Sequence, residues 1–155
     1  MFSTERMHMA DTNRQIFFID TNILVYAYNK TDTRKQAVAI KLLERCWQKQ
    51  AAYALSSQNL AEFFNVSIYK IRESLSIDEA EKIIKDICTF SHWSIFNYDH
   101  ETVQHAIGLC KSKNTHFWDA VLAATMLETG VLHIYTENVK DFSKFDGITA
   151  VNPFE

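Results

Sequence analysis

A chain of 155 residues, 47% of them hydrophobic, is long enough for one domain with a sizeable core, too short for two, and too apolar to remain disordered. Three Gly and a single Pro leave few breakers, which predicts long helices, short connections and no Pro- or Gly-rich linker. The formal charge of −3 is not the basic footprint usual in nucleic-acid binders, yet Asp20, Glu62, Asp119 and Asp141 alone carry −4 of it and leave +1 on the rest.

Residues 1–15 are polar and lack the apolar segment of a secretory signal; they read as an N-terminal extension open to disorder, with Met1, Met7 and Met9 as alternative starts. An apolar strand is predicted at 16–20. A helix follows over 32–50, where Ala37, Ile40, Leu43, Cys46 and Trp47 recur at helical spacing, and a short second strand at 52–55. The next helix spans 57–73. Ser76 and Glu79 form a capping-box signature for a helix running to Phe90. A third strand is predicted at 94–98, Asp99 caps a helix to Lys113, and 117–128 is helical up to a stop at Gly130. Strands at 131–135 and 148–151 complete the chain. Strands alternating with helices predict an α/β sandwich with a mainly parallel sheet, one domain over 16–155, whose functional edge is the carboxyl end of its strands. No apolar run is long enough to span a membrane, and Cys46, Cys88 and Cys110 show no paired spacing. Together these predict a soluble, cytoplasmic protein with its cysteines reduced and packed in the core.

Four segments place acids where strands end: Phe17 to Asn22, Leu60 to Phe63, Phe117 to Ala120 and Tyr135 to Phe142. Carboxylates delivered to one edge of a parallel sheet converge in space and repel unless a cation sits among them. A divalent metal is the expected cation. Magnesium, with its preference for oxygen donors and retained waters, needs only one or two carboxylates, and Asp20 and Asp119 are the first choices. Taken singly, Asp20 is as well explained as a strand-end cap and Asp119 as a partner of its helix dipole. Glu62 projects away from the apolar stripe of Leu60, Phe63, Phe64, Ile68 and Ile71, where a solvated Glu is the ordinary finding. Its face also carries Val66 and Tyr69, which suggests a partner or dimer surface.

Asp20-Thr21-Asn22 after an apolar strand, Glu62 on the helix after strand two, Trp118-Asp119-Ala120 opening a helix with Ala123 and Ala124, and Thr136-x-Asn138-x-x-Asp141-Phe142 resemble, in order, the four signature blocks of the PIN domain. The overall size is similar to that of the VapC-type toxins of toxin–antitoxin pairs. The resemblance implies a five-stranded, three-layer α/β/α sandwich and magnesium or manganese bound by Asp20, Glu62 and Asp119. It also implies endonucleolytic cleavage of RNA, with a small antitoxin as partner and a homodimer as the assembly. Asn138 and Asp141 join the candidate catalytic residues from the fourth block. Asn138 stands where many relatives have Asp, so it offers a neutral oxygen of lower electrostatic strength. Asn22 and Ser57 are candidate supporting hydrogen-bonders that orient the acids, although capping and turn chemistry explain such residues equally well.

Other chemistries find less support. The six His form no zinc spacing, no Gly-rich phosphate loop exists, and no Ser or Cys elbow is present. An aspartate-based phosphatase would want a second acid two residues after Asp20, where Asn22 stands, and a Lys between Lys113 and Lys140, where there is none. A PIN domain that binds RNA or a partner without cutting is the remaining alternative. Lys30, Arg34, Lys35, Lys140 and Lys144 are candidate phosphate contacts, with scattered surface charge the slightly better reading.

Overall fold

The computed structural model describes residues 15–155, so the predicted polar extension lies, apart from Gln15, outside the described residues. Strand β1 (Phe17–Ile19) passes through Asp20 directly into helix α1 (Thr21–Ala27), and α2 (Thr33–Trp47) precedes β2 (Tyr53–Ser56) and α3 (Ser57–Tyr69). Helix α4 (Ile77–Thr89) leads to β3 (Trp93–Phe96), followed by the adjacent helices α5 (His100–Lys113) and α6 (Phe117–Thr129). Strand β4 (His133–Tyr135), the single-turn helix α7 (Val139–Phe142) and β5 (Thr149–Val151) end the chain. The five strands lie in the order β3-β2-β1-β4-β5 and every pairing is parallel.

The two-residue period of the strands divides the interior into two cores. Ile19, Tyr53 and Leu55 point into one, with Ile23, Leu24 and Val25 of α1, Leu43 and Cys46 of α2, Phe63 of α3 and Ile87 of α4. Phe18, Ala54 and Ile134 point into the other, with Ala106 of α5, Ala120, Val121, Ala123, Ala124 and Met126 of α6, and Phe142 of α7. Helices thus cover both faces of the sheet and make three layers, as the alternation of elements predicted.

Local chemistry sets the boundaries that position the site. The predicted capping box at Ser76 and Glu79 is present, and Asp99 accepts from the backbone of Glu101 and Thr102. Gly130 ends α6 in the left-handed conformation at φ 73°, where a side chain would be strained. Two helices were not predicted. Helix α1, Thr-Asn-Ile-Leu-Val-Tyr-Ala, buries Thr21, Ile23, Leu24, Val25 and Ala27, so it lacks the amphipathic stripe by which a helix is read. Helix α7 is too short to show a period. The cysteines also differ from expectation: Cys46 is buried, whereas Cys110 is partly exposed and Cys88 exposed.

Candidate active site

The strand order reverses at β1: the chain moves from β1 outward through β2 and β3, then returns to lay β4 on the other side of β1. The crevice beyond the carboxyl ends of the strands opens at such a switch point. Asp20 stands in it, immediately after the central strand, with its backbone N–H donating to Tyr135 O at 3.0 Å. It is also the cap of α1, accepting from Thr21 N at 2.8 Å on Oδ1, while Oδ2 accepts from the buried Thr136 hydroxyl at 2.7 Å. Thr136 in turn accepts from Asn138 N at 2.9 Å. The carboxylate is therefore fixed from two sides.

Glu62 reaches the same place from α3. Its Oε2 accepts from Thr21 Oγ1 at 2.8 Å, and Thr21 Oγ1 accepts from Asn59 Nδ2 at 3.0 Å. Its Oε1 accepts from Gln58 Nε2 at 2.8 Å, and that nitrogen also donates to Trp118 O at 3.0 Å. Asn59 is fully buried and shares a capping box with Ser56, so the start of α3 is locked by the residue that orients Thr21. Asp119 lies in the first turn of α6, partly buried, next to Trp118, whose carbonyl Gln58 holds.

These residues surround an open cleft of about 600 Å³ lined by Asp20, Asn22, Glu62, Trp118, Asp119 and Asn138, with Gln58, Val66, Lys70 and Tyr98 among the remaining walls. Its electrostatics are those of acids without counterions. Among the described residues no ion pair engages Asp20, Glu62 or Asp119. Burial pushes the Asp20 carboxyl up to about 6, with the nearby charges of Asp119 and Glu62 adding to the rise against the lowering bonds from Thr136 and Thr21. Burial likewise raises Asp119, helped by Asp141 and Glu62 and opposed by His116. Asp141 is held low, chiefly by a hydrogen bond from the Asn138 side chain and then by Lys144, whose Nζ lies 3.3 Å from its Oδ1.

Of the residues singled out in the sequence, Asp20, Asn22, Glu62, Asp119 and Asn138 thus line one cleft, whereas Asp141 sits beside it and Ser57 in the first turn of α3 outside its lining. Among the described residues no three His, Cys, Asp or Glu side chains are close enough to enclose an ion by themselves. The donor set nevertheless suits a hard divalent cation that keeps its waters: oxygen ligands only, uncompensated charge, and two carboxylates already oriented by hydrogen bonds. Two of the three basic residues after the first block are engaged elsewhere. Lys35 pairs with Glu137, and Arg34 donates to Phe154 O at 2.5 Å.

Sequence reasoning quoted Thr136 in the fourth block without giving it a role, and missed Asn59, Gln58 and Lys70. For Gln58 and Lys70 the spacing Gln58, Glu62, Val66, Lys70 was the available signal, since every fourth position on a helix forms one wall.

A PIN domain profile matches residues 17–148. Comparison with curated protein sequences finds no match. Among solved structures the fold is similar to VapC20 of Mycobacterium tuberculosis, described as a sarcin–ricin-loop-cleaving toxin, at 19% identity and TM-score 0.61 over 83% of this chain and 93% of that one. It is also similar to a toxin–antitoxin complex from Klebsiella pneumoniae, at 22% identity and TM-score 0.59 over 90% and 98% of the two chains. A third is VapBC2 of Rickettsia felis, bound to a DNA fragment from its promoter, at 21% identity and TM-score 0.60 over 89% and 98%.

Proposed function

The chain belongs to the PIN domain family, and we propose that it is a divalent-metal-dependent endoribonuclease, the toxin of a toxin–antitoxin pair, acting on RNA phosphodiester bonds. The observation that carries this reading is the convergence of Asp20, Glu62 and Asp119, separated by 42 and 57 positions in the sequence, on one cleft where, among the described residues, no ion pair engages any of the three. A magnesium or manganese ion held there by Asp20 and Asp119, with Glu62 beside them, would supply charge relief to a phosphodiester and make a water nucleophilic at neutral pH. The chain's own residues do the rest. Thr136 and Thr21 N fix the Asp20 carboxylate, and Gln58 and Thr21 Oγ1 fix Glu62. Glu62, so oriented, positions the attacking water and accepts its proton. The water oxygen adds to phosphorus, one ester P–O bond breaks, and the departing oxygen takes a proton. Asn138 contributes to the wall of the cleft.

The relatives that are toxin–antitoxin complexes support a small antitoxin as partner. The surface for it, or for a second copy in a homodimer, is the outer face of α3, where Tyr69 is 67% exposed beside Phe64 and near the cleft-lining Val66. No described helix is long and apolar enough to cross a membrane, which accords with action in the cytoplasm.

The test is cleavage of total cellular RNA by protein free of antitoxin. Cutting that needs magnesium or manganese, stops with EDTA and disappears in Asp20→Asn is expected. Identical RNA profiles for wild type and Asp20→Asn would overturn the reading and leave a PIN domain that binds RNA or a partner without cutting.

A further inference from the structure

One large side chain on the cleft has no part in holding the acids. Trp118, which precedes Asp119, lines the cleft and is 55% exposed, whereas Trp93 is 5% exposed. An indole left in water forgoes the stabilisation that burial would give it. Its ring meets Phe117 edge-on, with centroids 5.2 Å apart, and Phe117 is itself exposed. The backbone beneath the ring is anchored. Trp118 O accepts from Gln58 Nε2, the same nitrogen that donates to Glu62, so a single buried amide sets the indole's residue and the acid against each other. Gln58 Oε1 is buried and has no hydrogen-bond partner among the described residues. Along α3 the wall continues through Glu62 and Val66 to Lys70, roughly 12 Å beyond Glu62 at the helical rise per residue. Among the described residues Lys70 is the one Lys or Arg in the lining.

We infer that Trp118 is a stacking platform for an unpaired nucleobase adjacent to the cleaved phosphodiester, with Lys70 holding a phosphate further along the strand. The inference rests on the nuclease reading above and deepens it. Every base presents a π-face to an aromatic platform, but only when it is not stacked inside a helix. A wholly apolar occupant would leave Lys70 and three carboxylates facing it uncompensated. A nucleotide strand offers the face for the ring, the phosphate for the ammonium, and a scissile group for the acids and their cation.

The experiment titrates the Asp20→Asn protein with a short single-stranded RNA and with the blunt duplex of the same sequence, in magnesium, following tryptophan emission and anisotropy of labelled RNA. Saturable quenching by the single strand, little by the duplex, and loss of the quench in Trp118→Phe are expected. Trp118→Leu should bind the single strand about ten- to a hundredfold more weakly and raise KM in the cutting protein, with Trp118→Phe retaining most of the affinity. Equal affinity in Trp118→Leu and its parent, or emission that RNA does not move, overturns the platform; emission moved only by an antitoxin peptide does so too and makes the ring a protein contact. The two readings fail separately. Cleavage with unchanged KM in Trp118→Leu removes the platform and keeps the nuclease, whereas quenching by RNA that the wild type never cuts keeps the platform and removes the nuclease.

Discussion

A single acid, Glu137, and a group of three stand at the same edge of the sheet and meet opposite treatment. Glu137, just after β4, pairs with Lys35, accepts from Tyr26 Oη at 2.9 Å, and has Phe154 nearby with Lys35 Nζ 5.5 Å from its ring centroid. Its neighbour Asn138 turns to the other side, into the cleft with Asp20, Glu62 and Asp119, where among the described residues Lys70 is the single cationic wall residue and no acid is paired with it. A balanced cluster ties α1, α2 and the C-terminal segment together. An unbalanced one costs stability as long as no cation joins it. One residue step in a loop therefore separates a structural acid from the candidate chemistry.

The largest contrast should appear in activity. Asp119→Asn keeps the side chain's shape and removes the charge that draws the ion, so cleavage should fall about a hundredfold or more. Lys35→Met, which breaks the balanced cluster, should leave the rate per folded molecule unchanged. Single-turnover cleavage of one RNA by both variants, corrected for folded fraction by circular dichroism, makes the comparison, and a loss of similar size in the two would erase the distinction drawn between the clusters.

Stability should separate the clusters in the opposite direction. The Asp20 carboxyl is raised from 3.8 in the unfolded chain to about 6 in the fold, so the folded state holds the proton more tightly. That group's favourable contribution is complete below pH 3.8 and disappears as pH rises through 6, leaving an uncompensated charge at neutral pH. In EDTA at pH 7, Asp20→Asn should exceed wild type by on the order of 2 kcal/mol, or roughly 5 °C in melting temperature. The gain should shrink toward pH 4 and also when magnesium is added to the wild type. Glu137→Gln should instead melt lower than wild type and respond to magnesium as wild type does. Calorimetric scans over that pH range, with and without the ion, decide the matter; an Asp20→Asn protein that melts below wild type at pH 7 in EDTA would contradict it.

The smallest effect expected is at Asn138. Replacing it by Asp restores a fourth carboxylate to the cleft, which should preserve or increase magnesium-dependent cutting. It also places a further like charge beside Asp141 and the acids of the cleft, so the metal-free protein should melt slightly lower. Asn138→Ala should cost less activity than the Asp20 change. A cleavage rate in Asn138→Asp far below wild type would show that the amide itself is required.

The order of the five strands and of five of the seven described helices, the parallel sheet, the helix caps at Ser76 and Asp99, the stop at Gly130 and the four acid-bearing blocks were legible in the sequence. Periodicity, capping and turn chemistry are local properties, written within a few residues of where they act. Helix α1 was not legible because it is buried nearly all round, so its pattern carries no polar face to mark the turn of a helix. The partners of the acids were not legible either. Thr136 is 116 positions from Asp20, Thr21 is 41 from Glu62, and Trp118 is 60 from Gln58, and no local rule connects residues so far apart. The sequence determined which residues arrive at the carboxyl edge of the sheet. Only the reversal of strand order at β1 decided that they face one another across a single cleft, because convergence is a property of how the strands are laid side by side and not of any segment alone.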